Sequence, residues 1–156
     1  SEWKYQLINP NISPIGLLLY GEATVQSDEV EIEEKIVISS IIEKWVLAAN
    51  IIFEQAWEFE HGSTGKESKL GLTLGASYQF ANQWAAGLEL FNERAYEGLD
   101  FDTFEEQAWF LGPNIHYGAP DWWVTFTVAP QIPLEDDRNL EQFERVQARL
   151  IVGVNF

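Results

Sequence analysis

The chain has 156 residues, 46% of them hydrophobic and 14% aromatic, with 25 acidic against 9 basic side chains and a formal net charge of −16. That is one domain's worth of protein, and its charge argues against nucleic acid, whose phosphates would be repelled, and against an anionic bilayer surface. No apolar run reaches the roughly eighteen residues of a membrane-spanning helix, and the absence of cysteine excludes a disulfide framework and a thiolate metal site.

There is no Met and no charged-then-apolar leader, which reads as a processed chain or as one whose start is missing. From the first residues onward hydrophobicity recurs with a period of two. In chain order the alternation predicts strands near residues 2–8, 15–27, 30–40, 45–59, 68–80, 84–96, 106–118, 122–133 and 143–156, and no window supports a helix. In the fifth, Leu70, Leu72, Leu74, Ala76, Tyr78 and Phe80 alternate with Gly71, Thr73, Gly75, Ser77 and Gln79. In the seventh, Trp109, Leu111, Ile115 and Tyr117 alternate with Ala108, Phe110, Gly112, Asn114 and His116. In the eighth, Trp122, Val124, Phe126 and Val128 oppose Trp123, Thr125, Thr127 and Ala129. Pro113 and Pro130 remove ladder donors and should mark bulges or strand ends.

The expectation is an all-β fold: an antiparallel up-and-down transmembrane β-barrel, with eight or nine strands in this chain. A soluble barrel of the lipocalin type also alternates, with its apolar face inward, so alternation alone does not say which face is wet. Three features favour lipid. Many strands run well beyond the five or six residues usual in soluble sheets. The less apolar face is rich in Gly, Ser, Thr, Gln and Glu rather than Lys. Aromatics recur by height: Trp45 and Trp57 lie twelve residues apart on one face, as do Trp84 and Tyr96. At ~3.3 Å rise and ~40–45° tilt this spans roughly 28–30 Å, the height between two aromatic girdles. Trp109, Tyr117 and Trp122 are assigned to the same girdles. Leu72, Leu74, Leu88, Leu90, Val124, Phe126, Leu150 and Val152 are then expected to face lipid.

Connections fall into two kinds. Short ones are expected at Asn9–Pro14, Ile42–Trp45, Ala81–Gln83 and Gly118–Asp121, and longer acidic ones at Glu58–Ser68, Glu97–Glu106 and Leu134–Gln142, with a tighter acidic bend near Ser27–Glu31. Acidic residues such as Asp100, Asp102, Glu135, Asp136 and Asp137 gather there, where solvated loops are the simplest reading. Since outer-membrane barrels have short periplasmic turns and longer external loops, the acidic loops would face outward and the C-terminus would be periplasmic.

Parity also assigns the inward charges: Glu22, Glu33, Glu54, Glu58, Glu89 and Glu93, with Lys4, Lys35, Arg145 and Arg149. Carboxylates crowded in a narrow lumen repel one another unless paired or hydrated. The mixture of signs suits a structural brace better than a single-sign ring, and the excess of acid suits a narrow, cation-favouring channel.

The last strand ends on Phe156 with Val154, Val152, Leu150, Ala148 and Val146 at alternate positions before it. This resembles the C-terminal signal by which the outer-membrane assembly machinery recognises its clients. The stretches WKYQLINP (3–10), PIGLLLYGE (14–22), FEQAWEFE (53–60), AWFLGPNIHYG (108–118) and WWVTFTVAPQIP (122–133) resemble the C-terminal two-thirds of a family of uncharacterised Gram-negative outer-membrane barrels. The resemblance implies outer-membrane lipid and that machinery as partners, further strands ahead of the first one here, and no particular activity. Closed single-chain barrels nearly always have an even strand number. The odd count of about nine therefore implies either missing strands completing a barrel of about twelve, or a smaller barrel sealed by pairing of the two ends.

A lipid-active enzyme is the competing function, and a soluble binder of an apolar ligand is a third. Acyl transfer needs a nucleophile, a base and an orienting group. Only His61 and His116 could serve as imidazole bases: His61 in a loop beside Ser63 and Thr64, His116 without a neighbouring Ser. No catalytic residue is assigned, no zinc-ligand spacing is present, and no cofactor or metal is expected. The leading expectation is a porin-like or structural outer-membrane protein.

Overall fold

A computed structural model describes residues 1–60, 63–99, 101–134 and 138–154. His61, Asp100, Glu135, Asp136, Asp137 and Phe156, on which parts of the sequence reading rest, lie outside the described residues. Nine strands follow one another: β1 (Glu2–Ile8), β2 (Gly16–Val25), β3 (Glu29–Ile42), β4 (Trp45–Glu60), β5 (Ser63–Ala81), β6 (Trp84–Glu97), β7 (Thr103–Gly118), β8 (Trp122–Ile132) and β9 (Val146–Val154). Each pairs antiparallel with the next, so the spatial order is the chain order. The result is one up-and-down sheet curled into a half-barrel. β1 and β9 are its edges, and no described residue of one pairs with the other.

The curl shows in contacts that skip strands. The Arg149 Nη2 on β9 lies 2.6 Å from Glu89 Oε2 on β6, although three strand spacings of ~4.8 Å would hold these strands about 14 Å apart in a flat sheet. Gly112 on β7 marks a crease where β8 comes close to it. A Cβ there would come within 1.9 Å of the Val128 carbonyl oxygen and 2.5 Å of the Ala129 Cα, so only glycine lets β8 fold this closely over β7. Pro113 and Pro130 share this place. β7–β8 pairing runs through Phe110↔Gln131 and resumes at Asn114↔Thr127 in unchanged register. The two prolines therefore mark neither a bulge nor a strand end but one shared gap in the ladder, where neither can donate.

Inside the curl lies a small core of Phe91, Ala108, Phe110 and Ala129, with Phe143 packed against it. Phe91 and Phe110 stack with ring centroids 5.1 Å apart, and Phe110 is fully buried. The convex face carries exposed apolar side chains: Leu74, Leu88, Ile115, Phe126, Leu150 and Val152.

The connections differ from expectation in three places. Residues 63–68, expected in a loop, extend β5 and pair with β4 up to Glu60↔Ser63; backbone pairing continues through polar residues because it needs no apolar partner. The β6–β7 connection is only 98–102. There Gly98 and Phe101 take positive φ (77° and 55°), and Phe101 turns back onto the convex face between Phe53 and Tyr96 (ring centroids 6.3 and 5.5 Å). Finally, β9 begins at Val146 rather than residue 143, because Phe143 turns inward to the core.

Candidate functional site

In an antiparallel ladder directly opposed residues share a face, so the pairing registers assign every strand side chain. Lys4, Glu22, Glu33, Lys35, Glu54, Glu58, Glu89, Glu93 and Arg149 all fall on the concave face with the Phe91–Phe110 core. Arg145 precedes β9, is exposed, and contributes its backbone carbonyl to Gln131 N–H (2.9 Å) rather than its guanidinium to an ion pair with a described residue.

Two rows cross strands β1 to β5. One is acidic: Glu2 opposes Glu22, Glu22 opposes Glu33, Glu33 opposes Glu54, and Glu54 opposes Lys69. Like charges directly opposed are destabilising, and the second row offsets them. There Lys4, Tyr20 and Lys35 stand side by side. The Lys4 Nζ lies 2.5 Å from Glu2 and the Lys35 Nζ 2.7 Å from Glu33. Both ammonium groups also sit over the Tyr20 ring, at 5.6 and 4.5 Å from its centroid, while the Tyr20 hydroxyl donates to Glu22. Lys69 closes the acidic row, 3.2 Å from Glu54 and 3.4 Å from Glu67.

Where these rows meet the core there is a cavity of about 460 Å³, walled by Glu33, Glu54, Glu67, Glu93 and Glu106 with Lys69, and by Ile52, Gln142 and Phe143 on its apolar and loop sides. Gln147 on β9 donates to both Glu93 oxygens at 3.3 and 3.4 Å. Next to it the chemistry changes from open to braced. Glu89 accepts from Arg149 (2.6 Å), Asn114 (3.0 Å) and Thr127 (3.3 Å), and the Ser77 hydroxyl donates to Asn114 Oδ1 (3.2 Å). A polar chain thus ties β5 to β9 across the inside of the curl.

The convex face carries a second set of aromatic groups. Trp45 and Tyr78, Trp84 and Tyr117, and Tyr117 and Trp122 have ring centroids 5.1, 4.8 and 5.2 Å apart, forming a lateral belt across β4–β8 at the short-turn end. Tyr96 meets Phe101 and Phe104 toward the other end, and Trp57 stands on the same face twelve residues beyond Trp45. Trp109 departs from the expected girdle. It opposes Asn92 and Ile132 within the face, makes no ring contact with a described residue, and its buried Nε1 has no hydrogen-bond partner. Val152 and Val154 are exposed on the convex face.

Sequence reasoning missed Glu2, Tyr20, Glu67, Lys69, Glu106 and Asn114. Lys69 was legible from parity, since Leu70 and Leu72 set the opposite face of the strand expected from residue 68, whereas Glu67 fell in what reads as a loop. His116 sits near the short-turn end, its Nδ1 2.8 Å from Thr125 Oγ1 and its ring 6.0 Å from that of Trp123, with no serine in the arrangement. Among the described residues no group of three or more His, Asp or Glu is arranged to hold a metal ion.

The fold and the site together define a curled antiparallel meander with an acid-lined concave face and an aromatic-belted convex one. Residues 48–156, more than half of the chain, match the model of a family of unknown function, DUF6662, and the chain belongs to that family. No curated protein and no solved structure matches it.

Proposed function

We propose that the chain is part of an outer-membrane β-barrel whose convex face meets lipid and whose acid-lined concave face is a hydrated, cation-favouring lumen. The observation that carries this is the convex belt formed by the Trp45–Tyr78 pair and the Trp84–Tyr117–Trp122 group, bordered by exposed Leu74, Leu88, Ile115 and Phe126. Aromatic belts and aliphatic bands of this kind suit the two sides of a bilayer interface. A binder of an apolar ligand would need its apolar face inside, whereas here the concave side holds the carboxylates. In a bilayer the free edges of β1 and β9 would each leave unpaired N–H and C=O groups costing several kcal/mol apiece, so the reading requires strand partners for both edges.

The test uses the protein refolded into vesicles and planar bilayers. Phospholipids brominated along the acyl chain should quench its tryptophan fluorescence. A salt gradient across a planar bilayer should give a reversal potential favouring cations, shrinking at high ionic strength as screening grows. Absence of quenching would remove the lipid-facing assignment; anion preference would remove the lumen assignment.

A further inference from the structure

The described part of the connection between β8 and β9, residues 138–145, turns into the concave face. Phe143 packs edge-on against Phe110, ring centroids 6.5 Å apart, and joins the Phe91–Ala108–Phe110–Ala129 core. Asn139 holds the segment from the other side. Its amide nitrogen donates to Glu106 Oε2 on β7 (3.2 Å), its backbone carbonyl accepts from Gln131 Nε2 on β8 (2.9 Å), and its Oδ1 accepts from the Gln142 N–H (3.2 Å). Gln142 and Phe143 form one wall of the 460 Å³ acidic cavity.

We propose that residues Arg138–Arg145 are a movable strap over that cavity, anchored by Phe143 and latched by Asn139; the current it would control rests on the lumen reading above, the strap itself does not. Three observations support mobility over permanent packing. The segment belongs to no strand, and the backbone bond from the Gln131 N–H to the Arg145 carbonyl (2.9 Å) ties it to β8 at its β9 end. Only one of its side chains enters the core, while Leu140 stays 40% exposed. The docked state also carries an uncompensated cost: Gln131 is 3% exposed beneath the strap and its Oε1 has no hydrogen-bond partner. A buried orphan acceptor disfavours the closed form and regains water when the strap lifts. Lifting the strap removes the Phe143 wall and exposes Glu93 and Glu106 from the connection side.

Because the chain contains no cysteine, Glu93→Cys supplies a single thiol behind the strap. The full chain in lipid vesicles is labelled with a small charged methanethiosulfonate and with a bulky polyethylene-glycol maleimide. Adding Phe143→Ala should speed the bulky reagent about tenfold while Phe143→Leu leaves it near the parent rate, an aromatic anchor being lost in one and replaced by an aliphatic one in the other. The small reagent should respond far less to either. Asn139→Asp, which sets a carboxylate against Glu106 without touching the core, should speed the bulky reagent about threefold, less in high salt; it decides the matter where Phe143→Ala does not fold. Bulky labelling unchanged in every folded variant would overturn the strap. Faster labelling with no current from any variant would uphold the strap and remove the conduction reading. Current with unchanged labelling would do the reverse.

Discussion

Strands β2–β5 and strands β6–β9 carry the same period-two alternation, yet their concave faces are filled in opposite ways. Across β2–β5 the inward charges Glu22, Glu33, Glu54, Lys35 and Lys69 stand in opposed rows, and Glu33, Glu54 and Lys69 line a cavity. Across β6–β9 the crease at Gly112 brings Phe91, Phe110 and Ala129 together as a core, and Glu89 is tied to three neighbours. Alternation selects a face; it does not say whether that face is packed or hydrated. Residue size at the crease decides. Glycine at 112 and alanine at 108 and 129 let backbones approach, whereas ionised side chains on the other half hold space for water.

The largest test of that contrast removes volume from each half. Phe110→Ala should destabilise the folded protein by ~3–5 kcal/mol, because a fully buried ring leaves a cavity that cannot collapse around the Gly112 crease. Ile52→Ala, at the cavity wall, should cost well under half as much in the same denaturant titration. Equal costs would mean that the two halves are packed alike.

Next in size is a charge placed on either face of one strand. Leu74→Arg puts a cation on the convex face, where Leu74 is 44% exposed, and should cost ~2–4 kcal/mol in a bilayer. Gly75→Arg points to the concave face, where a Cβ meets nothing closer than the Glu89 Cγ at 3.9 Å, and should be close to neutral. If both are equally harmless to folding in lipid, the assignment of the two faces to lipid and water fails.

These two tests also mark what was legible in advance. The nine strands and inward charges such as Glu22, Glu33, Glu54, Glu89 and Glu93 followed from parity alone, since a face shared every second residue is a property of the extended chain, whereas Glu2, Lys69 and Glu106 share that face and were missed. Glu22, Glu33 and Glu54 of the acidic row and the belt partners Trp45, Trp84, Tyr117 and Trp122 were legible in this way. The crease, the inward turn of Phe143 and the return of Phe101 onto the convex face were not, because each depends on contacts between residues far apart in sequence. Pro113 and Pro130 were noticed singly, but their shared gap exists only once β7 and β8 are in register. Trp109, expected in the girdle, stands opposite Asn92 within the strand ladder.

A smaller effect separates brace from cavity. Glu89→Gln weakens the ion pair to Arg149, but Arg149 is half exposed and the Asn114 and Thr127 contacts survive, so the loss should be about 1 kcal/mol or less. Glu54→Gln should change stability even less, since Lys69 keeps Glu67. If the lumen conducts, that variant should instead reduce cation preference in the reversal potential. A Glu54→Gln variant that unfolds more readily than Glu89→Gln would invert the contrast between the halves.

The most direct measurement is a cysteine scan along β5, from Leu70 to Gln79, in vesicle-embedded protein with a membrane-impermeant thiol reagent; the cysteine-free chain makes each introduced thiol unique. Labelling should alternate with a period of two, fast at 71, 73, 75 and 77 on the concave face and suppressed at 70, 72, 74 and 76 where lipid covers the convex one. Even labelling along the strand, or fast labelling at the leucine positions, would contradict a lipid-facing convex surface around a hydrated interior.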